Sequence, residues 1–398
     1  MSDDLFNIDD LLNSALKKEG LNELFQKKLD ELKLNKTNVQ EILGMPYRTL
    51  KGILDGTQKL VDVTNLVKLA DFLKISKEEV FKLYVDSVHK YHPVSNVSPQ
   101  KIKFIKENFD LAALKKAGLI NSITDFEHID KRITRRLGFK SIYEYKKPDV
   151  DIAFSSGLFK PKNLLTRLFW IRSASCIFEE INNPNKYDRQ ALIKFFPHIL
   201  WYSLNVERGL TEVFKALFKL GITTIYQPNL QGLQLRGATF KVNDKPCIVL
   251  SNYQGFYSTL WFCLIHELYH VLFDWEDIKN DSYHLTDDDN QELTVQEREK
   301  AADKFAREYL FAEDKMAIIK PYLNDEVYVK RIAEENHVHH SIVYAFHAFG
   351  NRNDKKSWAR VRKLSPPITD AIREFDYPWE EEKPLDEFII EQKETIYN

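Results

Sequence analysis

The sequence predicts a mainly α-helical protein with an all-α N-terminal domain and an α+β domain toward the C-terminus. Three observations predict it. Apolar residues recur at helical spacing through most of the 398 residues. Short helices with caps and turn residues crowd into 34–84. β-rich runs are confined to Ile222–Tyr226, Leu233–Val242 and Cys247–Ser251, directly ahead of the long apolar run Phe256–Phe273.

Taken in order, residues 1–33 read as a charged helical extension with Leu5, Ile8, Leu11, Leu12 and Ala15 at helical spacing. Within 34–84, Thr37-Asn38-Val39-Gln40 reads as a capping box and Gly44 as a turn. Pro46 sits where a first helical residue can lack its N–H, Gly56 ends that helix, and Ser76 with Glu79 caps the last one. Residues 85–100 hold HKYHPVSNVSPQ, polar with two prolines, and read as a linker. Residues 101–204 read as a helical middle region with loops near Lys146–Lys162 and Asn182–Lys186, and as the place left for a signal sensor. Its early part is basic with aromatics interleaved: Lys131, Arg132, Arg135, Arg136, Phe139, Lys140 and Tyr143. Such a stretch admits phosphate contacts, but a solvated helix face is the plainer account.

The domain assigned to 205–364 opens with a helix that stops at Gly221, a suitable residue just past a helix end. The turn Asn243–Asp244 joins the second and third β-rich runs as an antiparallel pair. A long helix through 256–273 follows, then an acidic loop, then a helix from about Val295 to Phe311 opened by a capping box, Thr294 with Glu297. Residues 365–398 read as an acidic, peripheral tail.

Composition bounds the function. With 43% hydrophobic and 29% charged residues the chain can bury a core, which excludes global disorder. A net charge of −2 excludes a whole-molecule polycation, so any nucleic-acid contact must come from a local patch. Cys176, Cys247 and Cys263 show no C-x-x-C spacing, which excludes a thiolate metal site and fits a reducing cytoplasm. The N-terminus MSDDLFNIDD lacks the order of a signal peptide. Phe256–Phe273 is nearly long enough to span a membrane, yet it carries His266, Glu267 and His270; a buried helix bearing a polar site is the better reading.

His266-Glu267-Leu268-Tyr269-His270 is an H-E-x-x-H match on that helix. Positions i and i+4 share a helix face, so both imidazoles can reach one metal ion, with Glu267 beside the ion's open position as general base. A third ligand is readable. On the next helix Ala302, Phe305, Ala306, Tyr309 and Leu310 form the apolar stripe; Glu299 lies on its edge, while Glu297, Lys300 and Lys304 point away. A carboxylate aimed at a core needs a partner, and a metal held by two histidines supplies one. Asp303, one turn on, can orient a ligand imidazole through its second nitrogen. The competing account is a packed helix with two satisfied core histidines. His284 and Asp287, Asp288 and Asp289 could compete as ligands but read better as a solvated loop. His339, His340 and His347 are oxyanion candidates, and Cys247 is a candidate fourth ligand or, more simply, a buried inert thiol.

These residues resemble the ImmA/IrrE family of zinc metallopeptidases. The matching stretch runs from about Val206 to Gly350 and includes LGITTIYQP, PCIVLSN, LWFCLIHELYHVLF and RIAEENHVHHSIVYAFHAFG. EKAADKFAREYLF resembles the family's E-x-x-A-[ND]-x-F-A pattern, which implies a third zinc ligand at Glu299 and a helper at Asp303. The resemblance implies a zincin-like fold, Zn2+ as cofactor, and limited cleavage of a specific protein such as a transcriptional repressor, often in stress, phage or mobile-element responses. Two departures stand out: Tyr269 occupies a position where the family usually has glycine, and a basic residue shortly before the pentad is missing. Tyr269 is expected to narrow the cleft or lend it a phenol.

Residues 34–84 resemble a phage-repressor-type (XRE, Cro-like) helix-turn-helix. The resemblance implies that the second helix of the pair enters the major groove, with Tyr47, Arg48, Thr49 and Lys51 as the contacting residues. A small helical bundle for protein contacts or homodimerisation is the alternative for this domain. For the whole chain, the expectation is a cytoplasmic zinc endopeptidase fused to a DNA-binding domain. One rival is a DNA-binding or antitoxin-like regulator whose zinc domain does not cut; another is a zinc hydrolase acting on a non-peptide amide.

Overall fold

The computed structural model describes residues 19–58, 60–91, 97–148, 164–233, 235–280 and 291–397, with the side chains at 36, 37, 90, 91 and 291–296 left aside. The chain divides into two compact units, Met1–Asn96 and Val97–Asn398. Among the described residues no helix is long and apolar enough to cross a membrane.

The N-terminal unit is all helical: α1 (Leu21–Leu32), α2 (Lys36–Leu43), α3 (Tyr47–Leu54), α4 (Val63–Leu73) and α5 (Lys77–Tyr91). Each contributes one apolar stripe to a common core that includes Leu21, Phe25, Leu43, Leu50, Ile53, Leu69 and Val80. The α1 stripe of Leu21, Phe25 and Leu29 is buried there, so this part of 1–33 belongs to the bundle and is no appendage; Leu5 to Ala15 lie outside the described residues. The α2 cap is Asn35, whose side chain accepts from Asn38 N–H at 2.9 Å, two residues earlier than the box at Thr37. Gly44 takes the left-handed conformation (φ 58°) that turns α2 into α3, and Pro46 is the residue before the first helical one. Ser76 caps α5 as expected, through the Glu79 N–H at 3.1 Å. That helix runs on to Tyr91, through half of the segment read as linker.

The second unit has one large core reaching from Ile105 to Tyr397, with a small satellite of Trp275 and Ile278. Its main elements are α6 (Pro99–Asn108), α7 (Phe126–Leu137), α8 (Leu164–Ile181), α9 (Gly209–Lys219), strands β1 (Thr223–Tyr226), β2 (Gly237–Val242) and β3 (Lys245–Leu250), then α10 (Tyr257–Phe273), α11 (Gln291–Phe311), α12 (His340–Gly350) and α13 (Leu385–Thr395). The helical middle region and the C-terminal segment therefore share their core with the sheet. Arg132 and Arg136 on α7 explain why. Both are buried, and they donate to main-chain carbonyls of the C-terminal segment: Arg132 Nη2 to Glu381 at 2.9 Å, Arg136 Nη2 to Tyr377 at 2.8 Å and Nη1 to Pro378 at 2.9 Å. The Arg136 guanidinium also stacks 3.5 Å over the Tyr377 ring. These two cations of the basic stretch are structural, neither solvated nor free for phosphate. The segment read as a peripheral tail buries Tyr377, Trp379, Phe388, Ile389 and Tyr397, and Tyr397 donates its hydroxyl to Thr224 of β1 at 2.7 Å.

The sheet order is β1-β3-β2, with β1 parallel and β2 antiparallel to β3. Asn243 and Asp244 both have positive φ (51° and 58°), the conformation a two-residue hairpin turn demands. Regular β2 pairing begins only at Gly237, shorter than the run from Leu233 suggests. β2 is an edge. Helix α10 packs on β2 and β3 and against α11 and α12. It is apolar nearly all round, as a helix covered over most of its surface must be, with Phe273 exposed at its end.

Candidate metal centre

Two helices build the site. On α10, His266 and His270 stand one turn apart; on α11, Glu299 reaches toward them from the edge of its apolar stripe. The three are buried and offer ligand atoms within 4.8 Å of one another. His266 Nε2 lies 3.3 Å from His270 Nε2 and 3.3 Å from Glu299 Oε2, and His270 Nε2 lies 3.4 Å from Glu299 Oε1. Donors about 2.0–2.1 Å from a tetrahedral ion stand about 3.3 Å apart, so the cluster has the spacing of a four-coordinate centre. Glu299 Oε1 is buried and makes no well-formed hydrogen bond among the described residues, lying 3.4 Å from His270 Nε2 with a spacing that a shared cation would fill. These residues can hold a metal ion.

Each imidazole is oriented from behind. His266 Nδ1 meets Asp303 Oδ1 at 3.0 Å, and His270 Nδ1 meets Asp274 Oδ2 at 2.7 Å. Such bonds fix each ring so that Nε2 faces the cluster. Arginines hold both carboxylates: Arg236 lies 3.8 Å from Asp303, and Arg298 lies 3.8 Å from Asp274 and 2.7 Å from Asp277. Asp274 was missed in the sequence, although its i+4 spacing from His270 was the available signal.

The electrostatics favour positive charge within the cluster. Burial alone pushes His266 down, but hydrogen bonds to Asp303 and Glu299, with Glu267 close by, outweigh it and raise the ring to about 10. For His270 burial is likewise outweighed, by Asp274 and Glu299. Burial would raise Glu299, yet the two imidazoles lower it; Asp303 is lowered against burial by His266 and the arginines.

Glu267 is 1% exposed and lies on the sheet side of the cluster. Thr239 of β2 donates its hydroxyl to Glu267 Oε2 at 2.7 Å. Burial raises the Glu267 carboxyl, opposed by the neighbouring imidazoles and by Thr239. A carboxylate tuned upward is suited to taking and returning a proton near neutrality. Gly237 makes room: a Cβ there would stand 2.4 Å from Cys263 Sγ and 3.0 Å from Glu267 Oε1.

Several expectations change. Cys263, not Cys247, is the thiol beside Glu267, and burial holds it well above its ordinary range, so it is inert as a ligand. Cys247 sits in β3, opposite Phe240 and Thr223. The Tyr269 ring packs against Phe273 (4.7 Å) and Phe305 (5.5 Å) and stands edge-on to the His270 ring at 5.7 Å. His339 caps α12, its Nδ1 bonded to Ser341, and burial lowers it to about 4. Thr294 lies inside α11, three residues past its first residue, Gln291. His284 and Asp287, Asp288 and Asp289 lie outside the described residues.

In the N-terminal unit, Arg48 and Lys51 are exposed on α3, whereas Thr49 is half-buried and Tyr47 packs on the core. The four predicted contact residues thus divide into two that face solvent and two that are partly covered. Comparison with protein-family models, with curated proteins and with solved structures finds no match.

Proposed function

We propose that the second unit is a zinc-dependent endopeptidase of zincin type, with His266, His270 and Glu299 as ligands and Glu267 as general base. The observation that carries this reading is the convergence of Nε2, Nε2 and a carboxylate at 3.3–3.4 Å, with a second, buried carboxylate, Glu267, beside them that is not needed as a ligand. Zinc in such a donor set supplies Lewis acidity, lowering the pKa of water and polarising a carbonyl. The chain's own residues do the rest. Glu267, steadied by Thr239, accepts the proton of the attacking water and returns it to the leaving amine. Asp303 and Asp274 keep the imidazoles in the tautomer that presents Nε2. Among the described residues β2 ends the sheet, and it carries Thr239 beside Glu267.

The substrate in this reading is a specific regulatory protein such as a transcriptional repressor, in a cytoplasmic setting consistent with three buried, unpaired cysteines. Metal analysis and cleavage assays on the purified chain and its Glu267→Gln variant test it. Both should hold one zinc per chain and only the parent should cut. Absence of zinc, or equal cleavage by the variant, overturns it.

The N-terminal unit we read as the DNA-contacting part, with Arg48 and Lys51 on the exposed face of α3 as the groove or phosphate contacts. The support is a helix pair joined by a left-handed Gly44 turn, with both cations turned to solvent. Arg48→Ala with Lys51→Ala should weaken DNA binding and flatten its salt dependence by about one to two in log–log slope. An intact chain without salt-sensitive DNA binding overturns this part alone.

A further inference from the structure

Beside the metal cluster, and within the same unit, lies a small, partly open cleft. Asp303 and Phe262 separate it from His266; the Phe262 ring is 6.2 Å from the His266 ring. Three guanidiniums line it, from Arg236, Arg307 and Arg352. The sole carboxylate in the lining is Asp303, already bonded to His266 and shared with Arg236. Neither Arg307 nor Arg352 has an ion pair among the described residues, so the cleft holds an excess of positive charge.

A second, independent observation points to a ligand. Ser258 and Thr259, in the first turn of α10, also line the cleft; they are 2% and 4% exposed, and their hydroxyls have no hydrogen-bond partner among the described residues. An unmet buried hydroxyl is unfavourable. No side chain caps this 17-residue helix at Phe256, so its first-turn amides add donors and positive potential at the same end. Phe262 and Phe346 supply apolar walls.

We infer that this cleft is a carboxylate-binding subsite that selects peptides carrying an acidic side chain, or a terminal carboxylate, next to the bond to be cut. The inference rests on the endopeptidase reading of the adjoining site. Guanidinium forks suit the two oxygens of a carboxylate, and the hydroxyls of Ser258 and Thr259 complete a donor set for it. A carboxylate is also the anion that a peptide itself brings to such a site.

The test uses the zinc-loaded full-length Glu267→Gln chain, which should bind without turning over. The probes are fluorescein-labelled octapeptides of alanine with a single Glu or Gln moved along the sequence, each made with a free or an amidated C-terminus. At one position Glu should bind about tenfold tighter than Gln if the source is a side chain; free acid should beat amide if it is the terminus. Arg307→Gln with Arg352→Gln, both at exposed positions, should bring that ratio close to one, and Arg307→Glu with Arg352→Glu should turn the preference toward Lys peptides. Binding blind to charge, no binding by any peptide, or a preference that survives the arginine changes overturns the subsite. Failure of the parent chain to cut any protein tells against the endopeptidase instead and leaves this binding result standing; cutting with no charge preference sinks the subsite alone.

Discussion

His270 and Asp274 face each other one turn apart on the same run of chain, with Nδ1 and Oδ2 separated by 2.7 Å. Asp274 thereby aims a ligand imidazole while its own N–H, bonded to the His270 carbonyl at 2.9 Å, closes the end of α10. Asp274→Ala should leave the chain folded and reduce zinc affinity by about 10–100-fold. Chelator competition measures it; unchanged affinity would mean that packing alone orients the ring.

Proton release on metal uptake is the second expectation. In the metal-free chain His266, raised to about 10, carries a proton at pH 7. Its contribution to stability is complete below the ordinary histidine value of about 6.5 and is lost as pH climbs through about 10. Glu299 and Asp303 are lowered, so theirs is present above the ordinary carboxylate range and lost on acidification. Zinc must displace the imidazole protons, so titration calorimetry at pH 7 in buffers of different ionisation enthalpy should report about one to two protons released. Buffer-independent heats would contradict the charge state described for the cluster.

Gly237→Ala adds a methyl where Cys263 Sγ, the Val249 carbonyl and Glu267 Oε1 stand at 2.4, 2.9 and 3.0 Å. Two of those neighbours are held by a helix and a strand and have little room to yield. The substitution should destabilise the second unit by about 1–3 kcal/mol and displace Glu267. Urea denaturation gives the first effect; a fall in kcat with zinc content retained would register the second.

Arg136→Ala should cost about 2–4 kcal/mol, because it strands the Tyr377 and Pro378 carbonyls and removes a stacked cation. Arg135→Ala, on the exposed side of the same helix, is the control and should be close to neutral. Equal denaturation midpoints for the two variants would refute the structural role assigned to Arg136.

What the sequence disclosed, and what it hid, follows the range of the interactions. Glu299 could be placed from periodicity alone, since a 3.6-residue repeat fixes which face carries the acid. The Asn243–Asp244 hairpin was equally local. Thr239 was not readable, because its bond to Glu267 depends on which strand lies over α10. Arg132 and Arg136 were hidden for a stronger reason: Arg132 meets the carbonyl of Glu381 249 residues further on, and no window of sequence joins the two. The cap read at Thr37 lies instead at Asn35, since the same residue types recur nearby and only backbone geometry chooses among them.

The Arg132 and Arg136 clasp also bears on inheritance. The segment 205–364 looks in sequence like a cassette that recombination could move between proteins. It lacks the Tyr377, Trp379 and Phe388 rings that complete its core, and the helix that fastens them. Any exchange that carries only the helices of His266, His270 and Glu299 delivers an open hydrophobic wound, so the helices on either side must travel with them for the cluster to stay formed.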